Sequence, residues 1–317
     1  MKKLFLIFLA AIPCLSFAQK TAKVDCRVAI LSDTHFDMPP ESDQYHEVKA
    51  INRAGKDRGG LHGVIHTGDM CDKADPKIIS LFRQRYDRDP GEKSIHYDFF
   101  PTFGNHDVAP VKGRPYDDCS GNEVNLQYMD SVLAAYKKVG KILNVDPSSR
   151  SYSFNLGGVH FVNAQLSAGE TSYCADNLPW IEADLRRYAA DGTPVVYIQH
   201  YGFDDDGLTW WKEENRKRLF DLLDHYSVAG FFVGHAHAAT LRYYRGYPIF
   251  QVNNGWKDGD GDPSFLILHI KDKRVTIENC HFNSDDGHYR VTQPTLHLTI
   301  PTNHSRANKL FSSWQRL

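Results

Sequence analysis

The chain has 317 residues, 41% of them hydrophobic and 12% aromatic, with a mean hydropathy of −0.47. These values suit a soluble globular protein of one or two domains and exclude a disordered chain. A formal net charge of −2 gives no strong basic field that would point to nucleic acid.

The chain opens with MKKLFLIFLAAIPCLSFAQK: two lysines, an apolar run from Leu4 to Ile12, then small residues at Ser16 and Ala18. This is the plan of a secretory signal peptide, residues 1–18, with cleavage after Ala18. The run is too short to span a bilayer. A lipid-attached Cys14 fits less well, because Ile12-Pro13 precedes it. The mature chain is expected in the periplasm or outside the cell, without a transmembrane segment. Export permits disulfides. Cys26, Cys71, Cys119, Cys174 and Cys280 remain after cleavage, an odd number, so at least one thiol is left over. Cys119 and Cys174 sit in polar loops and are the expected pair.

RVAILSD (27–33) reads as a buried strand, ESDQYHEVKAINRAGKDRG as a helix with a glycine stop, and GVIHTGD (63–69) as a second strand. ADPKIISLFRQRYDRD is helical, and FFPTFGNHD (99–107) repeats the strand pattern. A helix is expected near 124–141, a hairpin around Gly157-Gly158, and a helix in DNLPWIEADLRRYAADG. TPVVYIQH (193–200) and VAGFFVGH (228–235) are strands on either side of a helix in WWKEENRKRLFDLLDHY. The remainder, from TLRYYRGYPIFQVNN onward, is rich in strands. The order indicates one α/β domain over about 24–282 with two sheets packed face to face. The polar stretch 283–317 reads as an extension packed on that domain.

Five apolar runs end alike, in SDTH, GD, GNHD, QH and GHAH. Each places Asp, Asn or His at the carboxyl end of a strand, where sites of α/β sheets lie. One such residue alone is more often a cap or a turn residue. Five in order point to metal. Carboxylate, amide and imidazole donors without thiolate suit borderline ions such as Zn, Mn or Fe. In D-x-H and H-x-H, extended residues two apart point the same way and can reach one ion.

In these motifs the chain resembles the calcineurin-like metallophosphoesterases. Their ordered signature stands here as Asp33-Thr34-His35, Gly68-Asp69-Met70-Cys71-Asp72, Gly104-Asn105-His106-Asp107, His200, and Gly234-His235-Ala236-His237. Purple acid phosphatases would show Tyr where Asp72 stands, so the resemblance is to the non-purple branch. It implies a β-sandwich flanked by helices in four αββα layers, and two divalent or trivalent metal ions. Asp33, His35 and His237 would bind the first, Asn105, His200 and His235 the second, and Asp69 both. It implies hydrolysis of a phosphomonoester or phosphodiester by a hydroxide bridging the metals. His106 would serve as the catalytic acid, Asp72 would support the site without ligating, and Asp107, next in sequence, is expected to orient His106.

Trp210 and Trp211, in the loop after His200, are candidate walls of the substrate cleft, and Asn253 or Asn254 candidate neighbours of it. Asp204 to Asp206 read as a solvated acidic loop, and His66 as a supporting residue of the site. The partner implied is a small phosphorylated substrate: a nucleotide, a lipid head group or a sugar phosphate. A nucleotide pyrophosphatase on the same site is the alternative. A metal-binding interaction module without catalysis would lack ligands or His106, and a phospholipid-binding scaffold would want a membrane-anchoring segment.

Overall fold

The computed structural model describes residues 23–38, 41–108, 120–257, 261–293, 295–300 and 315–317. Residues 1–18, read above as a signal peptide, and Cys119 lie outside them. In the first half strand and helix alternate. β1 (Asp25–Leu31) leads through α1 (Glu41–Asp57) to β2 (Gly63–His66), and α2 (Pro76–Tyr86) leads to β3 (Phe99–Phe100). α2 begins where the Asp75 carboxylate accepts the Ile78 amide at 2.8 Å, with Pro76 in the first turn. β3 is shorter than its apolar run suggests. Pro101 brings no N–H to the ladder, so pairing stops after Phe100. The chain then passes into a single helical turn, α3 (Asn105–Val108), and on to α4 (Ser120–Lys138).

The second half begins with β4 (Asn144–Val145) and the expected hairpin of β5 (Tyr152–Leu156) and β6 (Val159–Asn163). After α5 (Leu178–Tyr188) come β7 (Val195–Ile198), α6 (Asp205–Trp210), α7 (Glu213–Leu223) and β8 (Val228–Val233). β9 (Thr240–Tyr244), β10 (Tyr247–Gln251), β11 (Ser264–Lys271) and β12 (Arg274–Phe282) follow, then β13 (Tyr289–Val291), β14 (Leu296–Thr299) and β15 (Gln315–Arg316).

These strands form two mixed sheets. One runs β13-β12-β11-β1-β2-β3, with β14 also on β12; the other runs β15-β9-β10-β8-β7-β6-β5-β4. The parallel pairs are β1-β2-β3, at one end of the first sheet, and β6-β7-β8-β10, in the middle of the second. All their carboxyl ends therefore point to one edge of the sandwich. Aromatic rings join the sheets, with Phe100 stacked on Phe154 at 4.0 Å and Phe154 on Phe161 at 5.0 Å. The exit from β3 is clamped to the second sheet: Tyr152 OH donates to Pro101 O (2.8 Å), and Asn163 Nδ2 to Thr102 Oγ1 (2.6 Å). The described parts of 283–317 extend both sheets, β13 and β14 on β12 and β15 on β9.

Cys26, Cys71 and Cys280 are buried thiols. Cys174 is half-buried, its Sγ donating to Glu170 O at 3.5 Å; the bridge expected between it and Cys119 falls on a residue outside the described ones. Among the described residues no helix is long and apolar enough to cross a membrane.

Candidate metal centre

The residues after β1, β2, β3, β7 and β8 meet at one point. Asp33, His35, Asp69, His235 and His237 all have positive φ, between 39° and 80°. L-residues adopt that region at a cost and hold it only where surrounding contacts enforce it. The enforcing contacts are visible. Beyond the last strand pair, Asp33 N still donates to Gly68 O (2.9 Å) and His35 N to Asp69 O (3.1 Å). The Asp33 carboxylate accepts the His235 amide at 3.0 Å, and Asp69 Oδ1 accepts the His106 amide at 2.8 Å. Gly104 makes the second contact possible, since a Cβ there would collide with Asp69 Oδ1.

These contacts gather the donors. Asp33, His35 and His237 form one group whose ligand atoms lie within 4.8 Å of one another, and Asp69, His200 and His235 form another. Asp69 Oδ2 is 3.7 Å from His35 Nε2 and 3.3 Å from His200 Nε2, so it faces both groups. His237 Nε2 is 3.5 Å from Asp33 Oδ1, and Asn105 Oδ1 is 3.0 Å from His200 Nε2. His200 Nδ1 lies 2.9 Å from Thr67 O. A carbonyl only accepts, so Nδ1 carries a proton, and Nε2, which faces Asp69 and Asn105, is the nitrogen left to ligate a metal once its own proton is displaced. Two adjacent sets of hard and borderline donors around one shared carboxylate fit a pair of metal ions.

The supporting layer differs from the expectation at one point. His106 Nδ1 pairs with Asp72 Oδ1 at 2.8 Å. Asp107 does not orient it. The Asp107 carboxylate is wholly buried and accepts the amides of Gly104 (2.8 Å), Met70 (3.2 Å) and Cys71 (3.4 Å). In a helical turn, successive side chains diverge by about 100°, so Asp107 faces inward while His106 faces the site. Asp72 is held in turn by Asp37, whose carboxylate accepts the amides of Asp72 and Lys73 at 2.7 and 2.9 Å. His66 accepts the Gly68 amide at Nδ1 (3.0 Å) and lies 3.3 Å from Thr34 Oγ1. His106 also converges with His35 and Asp69, but Asp72 occupies its Nδ1.

Charge is balanced within this cluster. Burial alone would raise Asp69, but His200 outweighs it and holds the carboxyl well below its usual range. Burial alone would lower His200; Asp69 raises it to about 9. Protons therefore compete with metal cations for the donor set. Burial pushes His66 down to about 3, so it is neutral and acts through hydrogen bonds. Burial would also lower His106, yet Asp72 raises it above the ordinary imidazole value. Burial and the nearby Asp69 charge lift Asp107 to about 7, against the pull of its three amide donors.

Residues 26–239, two thirds of the chain, match the calcineurin-like phosphoesterase family model. The chain belongs to that family. Family membership makes it a metal-dependent phosphoesterase and implies a dinuclear metal centre. Among solved structures, the phosphoesterase is similar to a dimetal phosphatase from Danio rerio, at 13% identity and TM-score 0.55, over 88% of this chain and all of that one. It is similar to GAP50, described as the anchor in the inner membrane complex of Plasmodium, at 12% identity and TM-score 0.58, over 89% and 91% of the two chains. A 5′-nucleotidase from Candida albicans aligns at 13% identity and TM-score 0.50, over 84% of this chain and 53% of that one. At such identities the likeness is one of fold. No curated protein sequence matches.

Around the donors, the structure separates the two tryptophans proposed as cleft walls. Trp210 lies against His235, ring centroids 5.2 Å apart. Trp211 is buried among Phe203, Phe220 and Phe231, with its Nε1 donating to Ala168 O at 2.9 Å; it is a core residue and no cleft wall. Asp204 is a helix cap instead of a solvated loop residue: it accepts the Gly207 amide (2.9 Å) and stands 3.7 Å from His235 Nε2. Asn253 turns to Asp262 O, and Asn254 bridges to Ser32. Sequence reasoning passed over Trp256, whose ring stands edge-on to His35 (6.4 Å) and His237 (6.2 Å). It also passed over Glu47, wholly buried in α1, which accepts the Tyr86 hydroxyl and lies where any side chain at Gly255 would collide. Trp256 follows a turn cluster and Glu47 is an acid on the buried face of α1; neither stands at a spacing that marks it.

Proposed function

We propose that the protein is an exported phosphoesterase that hydrolyses a small phosphate ester at the donor cluster. The observation that carries this reading is Asp69 Oδ2, which stands between His35 and His200 with Asp33 and His237 on one side and Asn105 and His235 on the other. Asp33, His35 and His237 would hold one metal, Asn105, His200 and His235 the second, and Asp69 both. Bound there, the ions would acidify water and neutralise the phosphoryl oxygens. The chain's own contribution to bond cleavage is His106. Asp72 fixes its ring and favours the protonated form, and a protonated imidazole beside the phosphoryl group can give its proton to the departing ester oxygen. Asp107 holds the loops after β2 and β3 together, so His106 and Asp69 keep their spacing.

The test is a panel of phosphomonoesters, phosphodiesters and nucleotide anhydrides assayed on the mature protein reconstituted with Zn, Mn or Fe. Turnover restored by metal, with close to two ions per chain by elemental analysis, supports the reading. Metal bound without turnover on any ester would overturn it in favour of a non-catalytic binding module. Export rests on the lysines and apolar run before Ala18; a mature mass beginning at Gln19 is the expected result, and an intact Met1 terminus counts against it.

A further inference from the structure

Trp210 is the one aromatic side chain among the exposed large apolar residues described, 37% accessible. Its setting is rigid. Asp204 caps the start of α6, and Trp211 anchors the end through its indole bond to Ala168 O. Arg216 donates to Trp211 O and, at 2.9 Å, to Leu208 O. Two adjacent indoles thus have opposite fates: one is driven into the core and presents the other at the donor cluster. The Trp210 ring lies 5.2 Å from His235 and 5.6 Å from Tyr201, and Tyr201 lies 5.3 Å from His235. Tyr201 itself is buried, so the indole is the solvent-facing member of this aromatic group.

An exposed indole beside a polar site leaves apolar surface in water that a flat partner would cover. A phosphate on the ion that His200 and His235 would hold would lie on the side of the centre where Trp210 packs on His235. Resting on the phosphoesterase reading above, we propose that Trp210 is a stacking platform for the leaving group, and that the preferred substrates are phosphate esters whose leaving group carries a flat aromatic ring. Nucleosides and simple aryl alcohols share this chemistry.

The experiment compares kcat/KM of the manganese-reconstituted mature protein for adenosine 5′-monophosphate and phenyl phosphate with that for ribose 5-phosphate and glycerol phosphate. Trp210→Leu should lower the ratio of ring-bearing to ringless esters about tenfold, the size of one aromatic contact, and Trp210→Phe should keep most of it. Adenosine and phenol, which lack phosphate, should give saturation-transfer NMR signals that weaken in Trp210→Leu; whichever ring binds better identifies the source. A structural role for Trp210 alone would depress all esters alike or lower metal content, and either result overturns the platform. If no ester is turned over yet ring binding is lost in Trp210→Leu, the platform stands and the phosphoesterase reading falls.

Discussion

The floor and the rim of this centre are built by different means. On the floor, Asp33, Asp69 and Asp107 are almost wholly buried and each accepts backbone amides from another loop. Five residues of the centre sit at positive φ, and backbone contacts between loops fix Asp33, His35, Asp69 and His235 there. On the rim, His106 and Trp210 are partly open to solvent and depend on side-chain contacts with Asp72 and His235. Floor residues are thus tied to the backbone geometry that gathers the donors, while rim residues are poised for what binds above them. Substitutions on the floor should cost metal; substitutions on the rim should cost turnover or selectivity while metal stays.

The sharpest way to break this division is Asp69. Asp69→Ala removes the oxygen facing both donor groups and should lose both ions, with activity down by about 10³-fold or more; retention of two ions by elemental analysis would refute its place between them. His106→Ala should keep the metals and lower kcat by about 10²- to 10⁴-fold. If metal falls in parallel, His106 belongs to the floor.

Asp72 and Asp107 make a paired test. Asp72→Asn should cost about ten- to a hundredfold. It should also move the alkaline limb of the pH–rate profile to lower pH, because Asp72 is what raises His106 and a general acid is lost as pH climbs through its pKa. Asp107→Asn should weaken metal retention and leave that limb in place.

The smallest effect belongs to Glu47. Burial lifts it to about 8 from a starting value of 4.5. The folded chain therefore holds a proton that the unfolded chain releases. The associated stability is complete below about pH 4.5 and lost as pH rises through about 8. Glu47→Gln should flatten the fall in melting temperature between pH 5 and 8.5 by a few degrees; an unchanged slope would mean that Glu47 does not titrate with unfolding.

Strand ends were legible because a parallel strand buried on both faces must be an apolar run, and a polar residue at its end is then conspicuous. Ligand spacing followed, since D-x-H and H-x-H face one way. What was not legible were contacts between neighbours in space that are strangers in sequence. Asp107 is adjacent to His106 in the chain, but one helical turn sends it inward, and the brace comes from Asp72, after a different strand. Trp210 and Trp211 read as one feature until the core claimed one of them. Glu47 under Gly255 and Trp256 beside His35 depend on how α1 meets the loop before β11, which no local pattern encodes.

The hydrogen bond from the His235 amide to Asp33 closes a loop of 202 residues. Contacts of such separation form late, after most of the chain entropy has been given up. A nascent chain that has made Asp33, His35 and Asp69 still lacks His200, His235 and His237. Neither donor group is therefore complete until the last of these donors in sequence, His235 and His237, have been made and brought back to Asp33 and Asp69.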